Sequence, residues 1–404
     1  MFGAGRRKST TAQQGAHGLP RLKAIDSLVP ISSRLQRRAA ARAARTPARH
    51  ISGEATSGVL ITVSGVHSAA CRSPGLGPAT GDSDLIARLG PLVRAAGLGE
   101  RVSAVHIRGS FHRAAHFGAG PDTVYEIGSI TKTMTSLLFA HAVESGELGA
   151  DTPLGDLLDL GGSPAGRVSL EDLASHRSGL PRIAPRARDQ VQAYAAVLRH
   201  RNPYTADLPT LLAQARVAKT TGRGAFRYSN LGTALLGQAL AVHAGAGYPE
   251  SLDRQLFAPL GMKHSTTPLS IRDLPDAAPT GWNAHGKSEQ AWTLGAYAPA
   301  GGVRSTPADM ARYAQALLDG TAPGLTALQP RWAADNQSRV GYAWFTDRVA
   351  DVDITWHNGT TGGFSSMLAL DRNAAAAVVI LANTAVAVDE IAIRLLVDVD
   401  GCDG

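Results

Sequence analysis

Three short stretches of the chain hold side chains that can do chemistry. In EIGSITKT, residues 126–133, Ser129 stands three residues before Lys132, just after a glycine and ahead of an apolar run. Residues at i and i+3 share a helix face, so the lysine amine can reach the serine hydroxyl. Burial disfavours the charged ammonium and leaves an amine able to take the serine proton. A helix start at this point adds a positive field, and the Ser129 N–H is placed to stabilise an oxyanion. The same spacing also fits a serine that only caps a helix.

The second stretch is FRYSNLGTALLG, residues 226–237, where Tyr228–Ser229–Asn230 precedes a helix beginning near Leu231. Here too the plain reading is a cap beside a core tyrosine. The chemical reading is a phenol held near cations, more acidic than usual, that shuttles a proton to the leaving group. Asn230 offers an amide donor and a carbonyl acceptor to substrate and to Lys132. The third stretch is WHNGTTGGF, residues 356–364. It places His357 and Gly359 at a strand end, with the Thr360 N–H as a second oxyanion donor beside that of Ser129. No G-x-S-x-G elbow, H-E-x-x-H pair or phosphate loop is present. The thirteen histidines are scattered, and neither they nor Cys71 and Cys402 match a metal-ligand spacing. No metal and no cofactor is expected.

The elements that must position these residues are legible in outline. Leu85, Ile86, Leu89, Leu92 and Val93 recur at helical spacing, with Pro91 marking a kink. VSAVHIRGSFHRAAHFG reads as a hairpin turning at Arg108–Gly109–Ser110, and the run after Lys132 as a helix ending at Gly146. The middle, 150–300, is punctuated by Pro and Gly with helical pieces such as 231–244. A further helix is expected after a cap at Ser305 or Thr306, with Pro307 in its first turn and Asp309 near its positive end. Two strands around Asp371–Asn373 and a last apolar helix, 388–399, close the pattern. Strands near both ends with a helical middle predict an α+β protein whose antiparallel sheet joins sequence-distant segments.

Charge is unevenly distributed along the 404 residues. The first fifty hold eleven Arg or Lys against Asp26 alone, while the rest carries 29 bases and 32 acids. The body is near neutral and resembles no nucleic-acid surface, so no nucleic-acid partner is expected. Residues 1–81 read as a basic, disordered extension and 82–404 as the catalytic domain, with a helical insert at about 150–300. Within the extension, 57–71 loosely resembles an export signal of the lipoprotein kind, although Glu54 interrupts its basic flank. Membrane association is expected only if Cys71 is lipidated. Both an exported and a cytoplasmic location stay open, as does the oligomeric state.

In this order the three motifs resemble those of the serine β-lactamase and penicillin-recognising family, whose class A set is S-x-x-K, S-D-N and K-T-G. Tyr228–Ser229–Asn230 is similar to the class C β-lactamase, D,D-carboxypeptidase and esterase branch instead. LASHRSGLP (173–181), LFAPLGMKHST (256–266) and AGGVRSTPADMARYAQALL (300–318) resemble connecting segments of that family, over about 82–400. The resemblance implies a β-lactamase/transpeptidase-like fold: an antiparallel sheet flanked by terminal helices, plus a mostly helical subdomain. It implies a serine hydrolase that cleaves an ester or amide of a small-molecule or peptide substrate through a Ser129 acyl-enzyme. Lys132 would then be the base and Tyr228 the proton relay. Asn230, His357, Gly359 and Thr360 would bind substrate and oxyanion. The alternative is a penicillin-recognising binding or sensor protein without turnover. One departure stands out. His357–Asn358–Gly359 occupies the Lys-Thr-Gly position, replacing a permanent cation with a largely neutral imidazole. Efficient β-lactam hydrolysis is therefore not expected.

Overall fold

In a computed structural model, residues 75–275 and 278–397 are described. The basic segment 1–50, the 57–71 stretch, Cys71 and Cys402 lie outside them. A nine-stranded antiparallel sheet is built from β1 (Ala79–Gly81), β2 (Val102–Arg108), β3 (Phe111–Phe117), β4 (Trp332–Ala333), β5 (Ser338–Val340), β6 (Phe345–Val349), β7 (Val352–Thr360), β8 (Ser365–Asp371) and β9 (Ala376–Ala382). Their spatial order is β1-β3-β2-β9-β8-β7-β6-β5-β4. The sheet begins at Ala79, which pairs with Phe117, so it reaches into the stretch read from sequence as the extension. The β2–β3 turn falls where the hairpin was expected, and β8 and β9 flank the expected turn.

The central strand β9 is buried along its whole length. Ala377, Val379 and Leu381 enter one hydrophobic layer, and Ala376, Val378, Ile380 and Ala382 the other. Both faces of a strand covered by helices demand a continuous apolar run, which is why AAVVILA does not alternate with polar residues. On one face lie α1 (Ser83–Ala95), through Leu85, Leu89 and Val93, and α6 (Asp389–Val397), through Ile391 and Leu395. On the other face lies α5 (Pro307–Leu318), and α2 (Thr131–Glu144) and α4 (Asn230–His243) belong to the same hydrophobic layer. The regular structure of the 150–300 segment is mainly short helices joined by loops, and includes α3 (Ala187–Leu198), none of whose residues is buried.

Every residue of helix α2 from Thr131 to Ala140 is buried, and its hydroxyls are satisfied inside, Thr133 Oγ1 donating to Ile130 O and Ser136 Oγ to Thr133 O. Its second residue, Lys132, is carried into the core with it. Helix α5 starts as expected, with the Thr306 side chain accepting from Asp309 N. Among the described residues no helix is long and apolar enough to cross a membrane.

Candidate active site

Ser129 lies in a 3-10 turn, Gly128–Ile130, that runs directly into α2. Neither the turn nor the helix has a side-chain cap at its start, so the capping reading of Ser129 does not apply. The cap of that kind is Ser229, whose hydroxyl accepts from Gly232 N at 2.9 Å and donates to Pro181 O at 2.7 Å. The end of β7 is packed hard against the Ser129 turn. Gly128 takes a left-handed φ of 49°, and a Cβ there would come within 2.8 Å of Thr360 N. A Cβ on Gly359 would stand 2.0 Å from Ile127 O. The β7–β8 ladder ends at the Thr360–Ser365 pair, and just beyond it Thr361 N donates to Phe364 O at 3.0 Å. Antiparallel alternation then turns the Thr360 N–H outward from β8, toward Gly128. The Ser129 N–H belongs to the first turn, where backbone donors have no partner within the helix.

Lys132 Nζ donates to Ser129 Oγ at 2.9 Å and also to Ala300 O. Lys132 is fully buried, and burial first, then the Arg182 guanidinium, push its pKa well below the usual lysine value. Desolvation thus favours the neutral amine. The Ser129 side chain also acts on the Tyr228 phenol, and the Lys132 side-chain nitrogen lies 4.9 Å from the Tyr228 ring centroid. Its phenol moves opposite to the sequence expectation: burial pushes it up to about 12, against the smaller lowering by Ser129 and Arg182. Burial outweighs the neighbouring cation, and it also neutralises the other groups that were expected to be charged. Lys132 is depressed, and burial lowers His357 to about 3 and His176 well below the ordinary histidine value. Tyr228 therefore keeps its proton near neutrality.

Ser129, Asn230 and Thr360 line one cavity of about 620 Å3. His357 does not line it. It is buried beneath, its ring 6.4 Å from that of Tyr228 and its Nδ1 donating to Asn358 O at 2.6 Å. Asn230 does not bond Lys132; its amide donates to the Tyr204 hydroxyl at 2.9 Å, and its buried Oδ1 has no protein partner. Gly359 acts by letting the backbones close rather than by touching the cavity.

Three residues of the site escaped the sequence reading. His176, inside the quoted LASHRSGLP, takes a left-handed φ of 59° and packs against Tyr228 with ring centroids 4.5 Å apart and planes tilted by 38°. Its Nδ1 accepts from Ser229 N at 3.3 Å. Tyr204 holds Asn230, and Arg182 places its guanidinium 5.2 Å from the Tyr228 ring centroid. Behind the serine turn, Glu126 and Arg304 form a buried ion pair, and Glu126 also accepts from Trp292 N at 2.9 Å. The short pairing of Tyr125–Glu126 with Arg304–Ser305 brings the two together. Among the described residues no group of three or more His, Cys, Asp or Glu side chains is arranged to hold a metal ion.

Residues 99–400 match the family model described as Beta-lactamase. The D-alanyl-D-alanine-carboxypeptidase/endopeptidase AmpH of Escherichia coli (strain K12) is 32% identical over 207 residues, 49% of each chain. Penicillin-binding protein 4 of Amycolatopsis lactamdurans is 27% identical over 326 residues, 70% of this chain and 80% of its own. The chain spans about half the length of the first of these relatives. Among solved structures, a class C beta-lactamase superposes with a TM-score of 0.67 at 20% identity, covering 79% of this chain and 96% of that one. A D-stereospecific amidohydrolase from Streptomyces sp. gives 0.66 at 21%, covering 77% and 98%. Likeness at that identity establishes the α+β, β-lactamase/transpeptidase-like fold.

Proposed function

This chain belongs to the Beta-lactamase family, and on that premise we propose that it is a serine hydrolase cleaving an ester or peptide-like amide through an acyl-enzyme. The observation that carries the reading is the 2.9 Å contact from Lys132 Nζ to Ser129 Oγ, made by a lysine whose burial favours the neutral amine. Ser129 Oγ attacks the substrate carbonyl carbon and its proton passes to Lys132. The N–H groups of Ser129 and Thr360 hold the oxyanion of the tetrahedral intermediate. Collapse breaks the bond to the leaving group, which takes the proton from Lys132 through the Tyr228 hydroxyl. Water then attacks the acyl carbon, returning a proton along the same path and freeing the acid and Ser129. With its pKa pushed up to about 12, Tyr228 relays a proton that it normally holds, and Lys132 is the base. Asn230 offers its unpartnered Oδ1 to a substrate N–H.

By their names, the relatives include a D-alanyl-D-alanine carboxypeptidase/endopeptidase and a penicillin-binding protein, which supports peptide amides within the substrate class. A neutral, buried His357 at the third motif argues against efficient β-lactam turnover. Ser129→Ala is expected to abolish p-nitrophenyl ester hydrolysis and fluorophosphonate labelling with thermal melting retained. Unchanged turnover in that variant refutes the reading.

A further inference from the structure

Among the described residues, Arg182 is the single Arg or Lys lining the cavity that Ser129 opens into. Its guanidinium lies over the Tyr228 ring, and its backbone oxygen accepts from Asn230 N at 2.9 Å, which fixes it beside the second motif. The side chain is partly buried, and among the described residues no carboxylate pairs with it. The two acids of the cavity wall are engaged elsewhere. Asp189 meets Arg188 at 3.4 Å and Gln214 at 3.3 Å, and Asp207 accepts from Thr210 N at 2.9 Å as the cap of the 208–216 helix. The third motif holds no cation, and Lys132 is spent on Ser129 and Ala300. A partly desolvated guanidinium without an acid is unfavourable unless a ligand supplies one.

We infer that Arg182 pairs with a carboxylate carried by the substrate, on the Tyr228 side of Ser129. Held with its carbon 5.2 Å from the phenol ring centroid, the guanidinium has N–H donors to spare, and their fork matches a planar carboxylate. One cation in the wall calls for one negative charge, which fits a carboxylate better than a phosphate dianion. This inference rests on the acyl-enzyme reading and makes the chain selective for monoanionic esters or amides.

The test compares mono-p-nitrophenyl glutarate with its neutral methyl ester on wild type, Arg182→Gln and Arg182→Lys. Arg182→Gln is expected to lower kcat/KM for the anionic ester by roughly ten- to a hundredfold, the worth of a hydrogen bond to a charged group. The loss on the neutral ester, which carries any effect of Arg182 on Lys132 and Tyr228, should be at least about tenfold smaller, and Arg182→Lys should restore part of the anionic loss. An equal loss on both esters, as a structural or Lys132-mediated role gives, overturns the inference; so does an unchanged anionic ester. Calorimetric binding of glutarate monoanilide to Ser129→Ala protein, with and without Arg182→Gln, probes the same pairing without turnover. A Kd weakened about tenfold or more supports the pairing, and an equal Kd refutes it. Fluorophosphonate labelling of Ser129 in wild type reports separately on the acyl-enzyme reading.

Discussion

Gly359→Ala tests whether the close approach of β7 to the serine turn is what makes the oxyanion site. The added Cβ would lie 2.0 Å from Ile127 O and 2.5 Å from Ser366 Oγ, where real Cβ atoms essentially never come under 3.0 Å. The hydroxyl can rotate away, but the carbonyl cannot. Ile127 is held on both sides, its N donating to Val303 O at 3.1 Å and its O accepting from Ser366 Oγ at 2.8 Å. Strand β7 is held in turn by its register with β8, from Ile354–Asp371 to Thr360–Ser365. The two backbones must separate by about 1 Å, a misplacement that costs on the order of a hundredfold in a positioned reaction. Loss of one oxyanion donor costs about a hundred- to a thousandfold, or roughly 3–4 kcal/mol of transition-state stabilisation. The expected acylation rate, read as the p-nitrophenolate burst or the rate of fluorophosphonate labelling, therefore falls by about two to three orders of magnitude. Gly120→Ala, where nothing lies within 4 Å, is the control. Adding Ser366→Ala should not rescue activity, because the Ile127 carbonyl remains in the way. Acylation within about twofold of wild type at unchanged melting temperature refutes the assignment of Thr360 N–H, given the size of the loss expected for one donor.

Two further outcomes follow from the buried charges. If Lys132 must be neutral to act, kcat/KM rises with pH through the depressed lysine pKa and levels off well below the ordinary lysine value, burial holding that pKa down. His357, at about 3, is already neutral throughout that range. The acid limb of the profile should survive His357→Gln, and its disappearance in that variant would reassign the base. For the Glu126–Arg304 pair, Arg304→Met strands a buried carboxylate and is expected to cost about 3–5 kcal/mol in urea unfolding. Glu126→Leu with Arg304→Met should recover much of that loss, and no recovery would show that the pair does more than compensate its own burial.

How far the sequence could be read depended on whether a feature is local. Helix α2, the β2–β3 hairpin, the α5 cap at Thr306 and the β8–β9 turn follow from periodicity and turn residues within a few positions, and each lies where expected. The shared helix face of Ser129 and Lys132 is local in the same sense. The cavity wall is not, because it joins residues near 182, 204, 230 and 292. The hydrogen bond from Asn230 to Tyr204 and the packing of His176 against Tyr228 cross gaps that no spacing rule spans. The direction of the Tyr228 shift is hidden from the sequence for a related reason. Counting neighbouring cations ignores that burial also neutralises them, and burial is the largest cause acting on Tyr228, Lys132 and His357 alike. That His357 sits beneath the cavity rather than on its wall depends on how β7 faces the layer holding Phe345 and Tyr228. A strand end read alone does not carry that.

The pairing of β2 with β9, Val102 to Ala382, has a consequence for how the protein comes into being. These neighbours at the centre of the sheet are among the most distant in sequence, and non-local pairings of this kind fold slowly. During synthesis, β2 and β3 emerge as a hairpin whose inner edge waits for a partner made last. Helices α2 and α4 are complete long before that, but Thr360 and Gly359 reach the serine turn only once β7 and the strand after it have docked. Ser129 therefore meets Lys132 early and its oxyanion site late. A nascent chain can hold a serine–lysine pair without being able to use it until almost all of the sheet is in place.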